Sequence, residues 1–353
     1  MAGNNQGVVP APTTSSGTTA PPVARPDGFQ DRSKMVDRIQ TKLDTKLLIY
    51  VTGDRPGMET QISREVPDLF VDHLDALWPA KKITLFLYTT GGDTSAAWSL
   101  VNLLRTFCDE LEVIVFSKAF SAGTLMCLGA NKTIMTKQAR LGPIDPSLNG
   151  PMNPTIPHRP GLTASVSVEA VQGYLDVVQQ QLKIGDQAAL ASMWNSLSEK
   201  IHPLVLGQIF RTRTQIRSLA MELLDNQKLD DDTKNKIISF LCSDSGSHDH
   251  AINRREAKKL GLLIEKPSED VYEMLKELHL SIVGTLNLLE PWRAEQVLGT
   301  NNSVKYTERR GLIESTAGGS HQFVAEGILT SHAINGQQQI IDRRLFEGWR
   351  KEA

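Results

Sequence analysis

What most constrains this chain is a series of short, continuous apolar runs separated by stretches of helical period and short joints. Lys46–Thr52 (KLLIYVT), Ile83–Tyr88 (ITLFLY) and Val113–Phe116 (VIVF) read as strands, and Thr133–Thr136 as a fourth, shorter one. Between the first two, Glu65–Trp78 places Phe70, Leu74 and Leu77 on one helical face and stops at Pro79. Further helices are predicted from about Thr94 to Phe107 and over Ala122–Ala130. Strand–helix alternation with short joints predicts an α/β fold with largely parallel pairing. The runs are apolar throughout rather than alternating, which is expected of strands covered on both faces.

The flanks differ. Met1 to Gly28 hold 15 Gly, Pro, Ser or Thr among 28 residues and almost no bulky apolar side chain. Such a segment cannot bury enough surface to offset its chain entropy, so a disordered tail is expected over 1–34, with order from about Met35. Downstream, Gly142–Pro160 reads as a proline-rich loop, and Val168 to about Asn226 as mostly helical, broken at His202-Pro203. Ile252–Ile264 reads as a helix with Gly261 at its end, then a short strand. These make a core over 35–266. The last part, 267–353, is expected as a small α+β extension with a helix over Ser268–Leu288 and strand-like pieces at Ser303–Tyr306 and His321–Ile328.

Composition excludes several classes. Lys plus Arg total 38 against 40 for Asp plus Glu, which gives no electrostatic reason for a nucleic-acid partner. There is no apolar run of membrane-spanning length and no signal-peptide pattern, so a cytoplasmic chain with no membrane partner is expected. Cys108, Cys127 and Cys242 are too few, and too far apart, for a disulfide framework or a zinc site, and neither a metal nor a cofactor is expected.

Four clusters can carry chemistry. Thr89-Thr90-Gly91-Gly92-Asp93 joins a strand to a helix, where paired glycines leave amides pointing outward for an anion or a developing oxyanion; a plain turn needs the same residues. Phe120-Ser121-Ala122-Gly123-Thr124 occupies the equivalent joint one unit later. Ser121 there suits a nucleophile on a tight turn, with the Ala122 amide as an oxyanion donor; it serves equally as a helix N-cap. Asp145, in the turn Gly142-Pro143-Ile144-Asp145-Pro146, either orients or replaces a base, or holds the turn by side-chain to backbone hydrogen bonds. Ser247-His248-Asp249-His250 precedes a helix, where Asp249 is also a candidate cap, and lacks metal-ligand spacing. His202 is a further candidate base.

Taken in order, Gly91-Gly92-Asp93, Phe120-Ser121-Ala122-Gly123, Leu141-Gly142-Pro143-Ile144-Asp145-Pro146, Ser247-His248-Asp249 and Glu256-Ala257-Lys258-Lys259-Leu260-Gly261-Leu262 resemble the Clp-type and crotonase-like serine peptidases. They resemble more closely the serine dehydrogenase proteinase family, relatives of the Clp peptidase and of signal peptide peptidase A. The resemblance covers about Thr45 to Lys266. It implies a spiral of ββα units, homo-oligomers, a peptide or protein substrate, and hydrolysis through an acyl-enzyme. Ser121 matches the nucleophile, and Gly91 and Gly92 match the glycine pair whose amide joins that of Ala122 in the oxyanion hole. Clp-type enzymes carry their base His where this chain has the Asp145 turn. Their acid, seven residues before the Glu of the later helix, falls on Asp249, beside His248. No Lys lies between Lys137 and Lys183 for a Ser–Lys dyad. The family's Ser, Asp, His order fits Ser121, Asp145 and His248.

The leading expectation is a serine peptidase in which Ser121 attacks, His248 takes its proton and Asp145 orients the imidazole, with Asp249 as an alternative acid. The competing expectations are a catalytically inactive relative serving as a scaffold or binding module, and an acyl-CoA enzyme whose amides hold a thioester oxygen. A side chain at Gly92 is expected to harm activity more than stability.

Overall fold

The structure is a computed structural model and describes residues 28–144, 147–148, 150–159, 161–244, 250–334 and 337–352. Its first half runs α1 (Phe29–Leu43), β1 (Lys46–Thr52), α2 (Val66–Leu77), β2 (Lys82–Thr89), α3 (Thr94–Thr106), β3 (Glu110–Ala119), α4 (Ala122–Leu128), β4 (Lys132–Met135) and β5 (Arg140–Leu141). A small ladder, β6 (Ser147–Leu148) with β7 (Val166–Ser167), precedes a helical region of α5 (Val168–Asp176), α6 (Gln187–Lys200), α7 (Pro203–Leu224) and α8 (Asp231–Ser239). The chain then returns to the sheet with β8 (Ile252–Asn253), α9 (Arg254–Leu260) and β9 (Ile264–Glu265). It ends with α10 (Glu269–Leu286), α11 (Ala294–Leu298), β10 (Ser303–Ser315), β11 (Gly319–Ile334) and β12 (Gln337–Lys351).

The fold is mixed α/β around one large sheet. Its main path among the described residues is β12-β11-β10-β1-β2-β3-β4-β9, with β5 bridging β3 to β8. β1 through β4 are parallel, as the strand–helix alternation predicts. The period of two along each strand then sorts side chains to opposite faces. Leu48 and Tyr50 join Leu85, Leu87, Val113 and Val115 under α2, α3 and α4. Leu47, Ile49 and Val51 join Phe86, Ile114 and Phe116 under α1 and α10, which contribute Val36, Ile39, Leu275, Leu278 and Ile282. Every one of these side chains is buried, which is why the strands read as unbroken apolar runs.

The onset of order is corrected: α1 starts at Phe29, ahead of Met35. Composition hid the cause. Arg32 is buried and forms a two-pronged ion pair with Glu314 of β10, at 2.8 and 2.6 Å, and its third prong reaches Thr285 Oγ1 at 2.6 Å. The C-terminal segment holds more strand than expected, three long antiparallel strands, and β10 is hydrogen-bonded along β1 from Ile49 to Thr52. Its α10 closes one face of the core.

Candidate active site

The site is assembled at the C-terminal ends of β2 and β3. β2 ends in Thr89, whose Oγ1 accepts the Gly91 amide at 2.9 Å and whose carbonyl accepts the Phe120 amide at 3.1 Å. These two bonds lay the glycine turn against the β3–α4 joint. Gly91 has φ 113°, and a Cβ placed on it would come within 2.9 Å of Ser121 Cβ, so the missing side chain is the space Ser121 occupies. Gly92, at φ 145°, runs beside Ile62. Ile62 N donates to Gly91 O and Asp93 N donates to Ile62 O, both at 2.9 Å. Asp93 caps α3 by accepting the Ala96 amide at 2.9 Å.

Ser121 stands at φ 50°, ψ −114°, a conformation a non-glycine residue adopts only when its surroundings impose it, at a cost of about 1–3 kcal/mol. Its side chain makes no capping bond to α4, so the plain N-cap role is excluded. Among the described residues its Oγ has no hydrogen-bond partner. Two contacts hold the turn in place. Gly123 is pressed on the Thr89 methyl, which a Cβ would meet at 2.3 Å. Thr124 Oγ1 accepts the Gly142 amide at 3.2 Å and lies within donating distance of Ala119 O (2.8 Å) and Gly142 O (2.7 Å). Thr124 thus pins α4 to both β3 and the turn after β5.

Ser121 opens into a cavity of about 250 Å³, lined also by Thr90, Phe120, Arg140, Pro143 and His250. The antiparallel pairing of β8 with β5, Leu141 opposite Ile252, delivers His250 to that wall. Its Nε2 lies 2.9 Å from Oε1 of Glu256 in the first turn of α9, and its ring stands edge-on to Phe240 with centroids 5.7 Å apart. A carboxylate only accepts, so in the neutral ring Nε2 carries the proton and Nδ1 the lone pair. A larger hollow of about 620 Å³ at the opposite ends of the strands is lined by Asp37, Lys46, Lys81, Lys82 and Glu110 and holds no such pair.

Of the residues singled out by sequence, Gly91 packs against Ser121, Ala122 follows Ser121 at the head of α4, and Gly92 lies beside Ile62. The Gly91 amide, however, is taken by Thr89 Oγ1 and is not free for an oxyanion. Asp145, His248 and Asp249 lie outside the described residues. His202 is exposed and caps α7, its Nδ1 accepting the Leu204 amide at 3.2 Å, and it does not line the cavity. Sequence reasoning missed His250 and Glu256 as partners. The usable signal was their six-residue spacing across the short β8, which carries an imidazole back toward the helix that follows. The expectation for Gly92 is also corrected: a Cβ there would lie 2.3 Å from Ile62 O and 2.5 Å from Ile62 N, a clash with main chain that threatens the fold itself. Among the described residues no helix is long and apolar enough to cross a membrane, and no group of three His, Cys, Asp or Glu is placed to hold a metal.

Comparison with known proteins places this site in context. Two uncharacterized proteins of Methanocaldococcus jannaschii are similar, one 29% identical over 198 residues and the other 25% identical over 196. The matches cover 56% and 55% of this chain and 58% and 56% of the relatives, so the chain spans little more than half the length of the curated relatives it matches. Among solved structures, the membrane-bound stomatin-specific protease 1510-N is 17% identical with a TM-score of 0.39, covering 66% of this chain and 84% of that one. ClpP1 from Listeria monocytogenes is 15% identical with a TM-score of 0.35, covering 66% and 99%. Residues 75–158, which include the glycine turn and Ser121, match the family model described as ClpP-like SDH-type serine proteinase. The family whose model the chain matches, the ClpP-like SDH-type serine proteinases, is therefore the one that its motif order resembles.

Proposed function

We propose that the protein is a serine peptidase that cleaves peptide bonds through an acyl-enzyme on Ser121. One observation carries this reading: a serine held at positive φ, its hydroxyl without a partner among the described residues, shares a small cavity with an imidazole that a carboxylate holds from behind. Strain of this kind, at a strand–helix joint packed against Gly91, suits a nucleophile presented for attack.

In the proposed reaction Ser121 Oγ attacks the scissile carbonyl while His250 Nδ1 takes its proton. Glu256 holds the tautomer and stabilises the imidazolium that forms. The carbonyl oxygen gains charge between the Gly92 and Ala122 amides, each such donor being worth roughly 3–4 kcal/mol in a dry site. His250 then returns the proton to the leaving amine, and a water activated by the same Nδ1 releases the acyl group. The alternative assignment, His248 as base with Asp145 or Asp249 as its acid, makes the same prediction for Ser121 and differs only in which imidazole is indispensable.

The proposal extends to a cytoplasmic setting and to assembly of several copies. In support, the three cysteines form no disulfide, and Tyr174, Val177 and Leu182 at the end of α5 and just beyond are partly or well exposed. The test of the catalytic reading is an alkyl fluorophosphonate with mass mapping of the adduct. Label on Ser121, lost in Ser121→Ala, supports the peptidase. A folded protein that takes no label supports the inactive scaffold.

A further inference from the structure

The chemistry proposed above leaves one charge in the Ser121 cavity without a task. Arg140 belongs to β5, a two-residue strand held on both sides. It stands opposite Lys118 of β3 in a parallel ladder and opposite Asn253 of β8 in an antiparallel one. The root of its side chain is therefore fixed. Its guanidinium lies over the Phe120 ring, 5.9 Å from the centroid, and both groups line the cavity beside Ser121. Gly142, two residues on, permits this packing, since a Cβ there would press on Phe120 at 3.1 Å.

The neighbouring charges are accounted for. Lys118, the register partner of Arg140, donates to Asp54 Oδ2 at 2.5 Å, and Asp54 also accepts Tyr88 Oη at 2.6 Å. Glu256 is engaged with His250 and does not line the cavity. Arg140 alone, among the described cavity residues, is a full cation, and among the described residues it has no ion-pair partner. A guanidinium resting on an aromatic face is weakly hydrated and presents a planar fork matched to a carboxylate.

We propose that Arg140 is a specificity residue that receives a substrate carboxylate next to the scissile bond, so that the site favours a peptide with an acidic side chain or a free terminal carboxylate at that position. The inference rests on the cavity being the peptide site of the proposed peptidase, but not on Ser121 being reactive.

The test therefore measures binding, with Ser121→Ala protein so that nothing is cleaved. Fluorescence anisotropy compares three dye-labelled pentapeptides: an alanine-rich peptide amide, the same amide with a central Glu, and the alanine-rich peptide with a free terminal carboxylate. At least one acidic peptide is expected to bind about tenfold tighter than the neutral amide, as for a two-pronged charged contact. Which one shows the advantage identifies the source of the carboxylate. In Ser121→Ala/Arg140→Gln the advantage is expected to fall to about twofold or less, with partial recovery in Ser121→Ala/Arg140→Lys. Equal binding of all three peptides, no binding of any, or an advantage that survives Arg140→Gln overturns the assignment. A failure of fluorophosphonate to label the wild-type protein bears on Ser121 alone and leaves these binding outcomes readable.

Discussion

His250 Nε2 and Glu256 Oε1 lie 2.9 Å apart, bridging the segment before β8 and the first turn of α9. The bond fixes which ring nitrogen can act as a base. Glu256→Gln keeps the shape but removes the carboxylate charge, and its NH2 group can face the ring as a donor and favour the other tautomer. The labelling rate of Ser121 by fluorophosphonate is expected to fall by about 10²- to 10⁴-fold. Stability should drop by no more than about 1 kcal/mol, the contribution of an acidic residue near a helix start. An unchanged labelling rate contradicts a role for this pair.

The two glycines separate fold from chemistry. Gly92→Ala drives a Cβ into the Ile62 backbone at a positive φ, and a loss of about 3 kcal/mol or more is expected from strain and overpacking together. Gly91→Ala, also at a positive φ, meets Ser121 Cβ at 2.9 Å and Phe120 O at 3.0 Å, looser approaches than the 2.3 and 2.5 Å at Gly92. It should lose most Ser121 labelling at a smaller cost in thermal midpoint. Equal destabilisation by both variants would contradict the distinction.

The buried ion pair offers a test of the α1 docking. Arg32→Met leaves Glu314 buried with Ser320 as its remaining neutral partner, and a loss of about 3–5 kcal/mol in urea unfolding is expected. The double variant Arg32→Met/Glu314→Gln should recover a large share of it. If Arg32→Met costs nothing, α1 does not dock as described.

Acid should loosen the α2–β11 contact. His73 is fully buried, with Nδ1 at 2.9 Å from Ser315 Oγ and Nε2 at 2.8 Å from His321 Nδ1. Burial first, then the neighbouring His321 and Lys351, against a smaller opposing effect of Asp72, push its pKa down to about 4. The pKa of His321 is lowered too, by burial and then by Lys351. Because the unfolded value is near 6.5, the unfolded chain binds more protons between the two values. Stability from this contact is complete above about pH 6.5 and is lost as pH falls toward 4, on the order of 3 kcal/mol for His73. The urea midpoint should drop across that window, and His73→Gln should flatten the profile. A wild-type midpoint constant from pH 7 to 4.5 contradicts it.

These residues also mark what was legible in sequence. The parallel strands were, because both faces are covered and Leu47 to Thr52 read as one apolar block. Ser121 and the glycine pair were legible because a strand–helix joint is local. Arg32 and Glu314 are 282 positions apart, and only the antiparallel docking of β10 on β1 brings them together. The same holds for His250, which the β5–β8 ladder brings to the wall of the Ser121 cavity. β12 was overlooked because its run of Asp342, Arg343, Arg344, Glu347 and Arg350 suits an edge strand facing water, where no apolar block announces it.

The most direct measurement is the second-order rate of fluorophosphonate labelling, with the adduct mapped by mass, in wild type, Ser121→Ala, His250→Ala and His248→Ala. The account predicts an adduct on Ser121 in wild type, none in Ser121→Ala, and a fall of several orders of magnitude in His250→Ala that His248→Ala does not match. A folded wild-type protein with no adduct on Ser121, or one labelled equally well without His250, would contradict it.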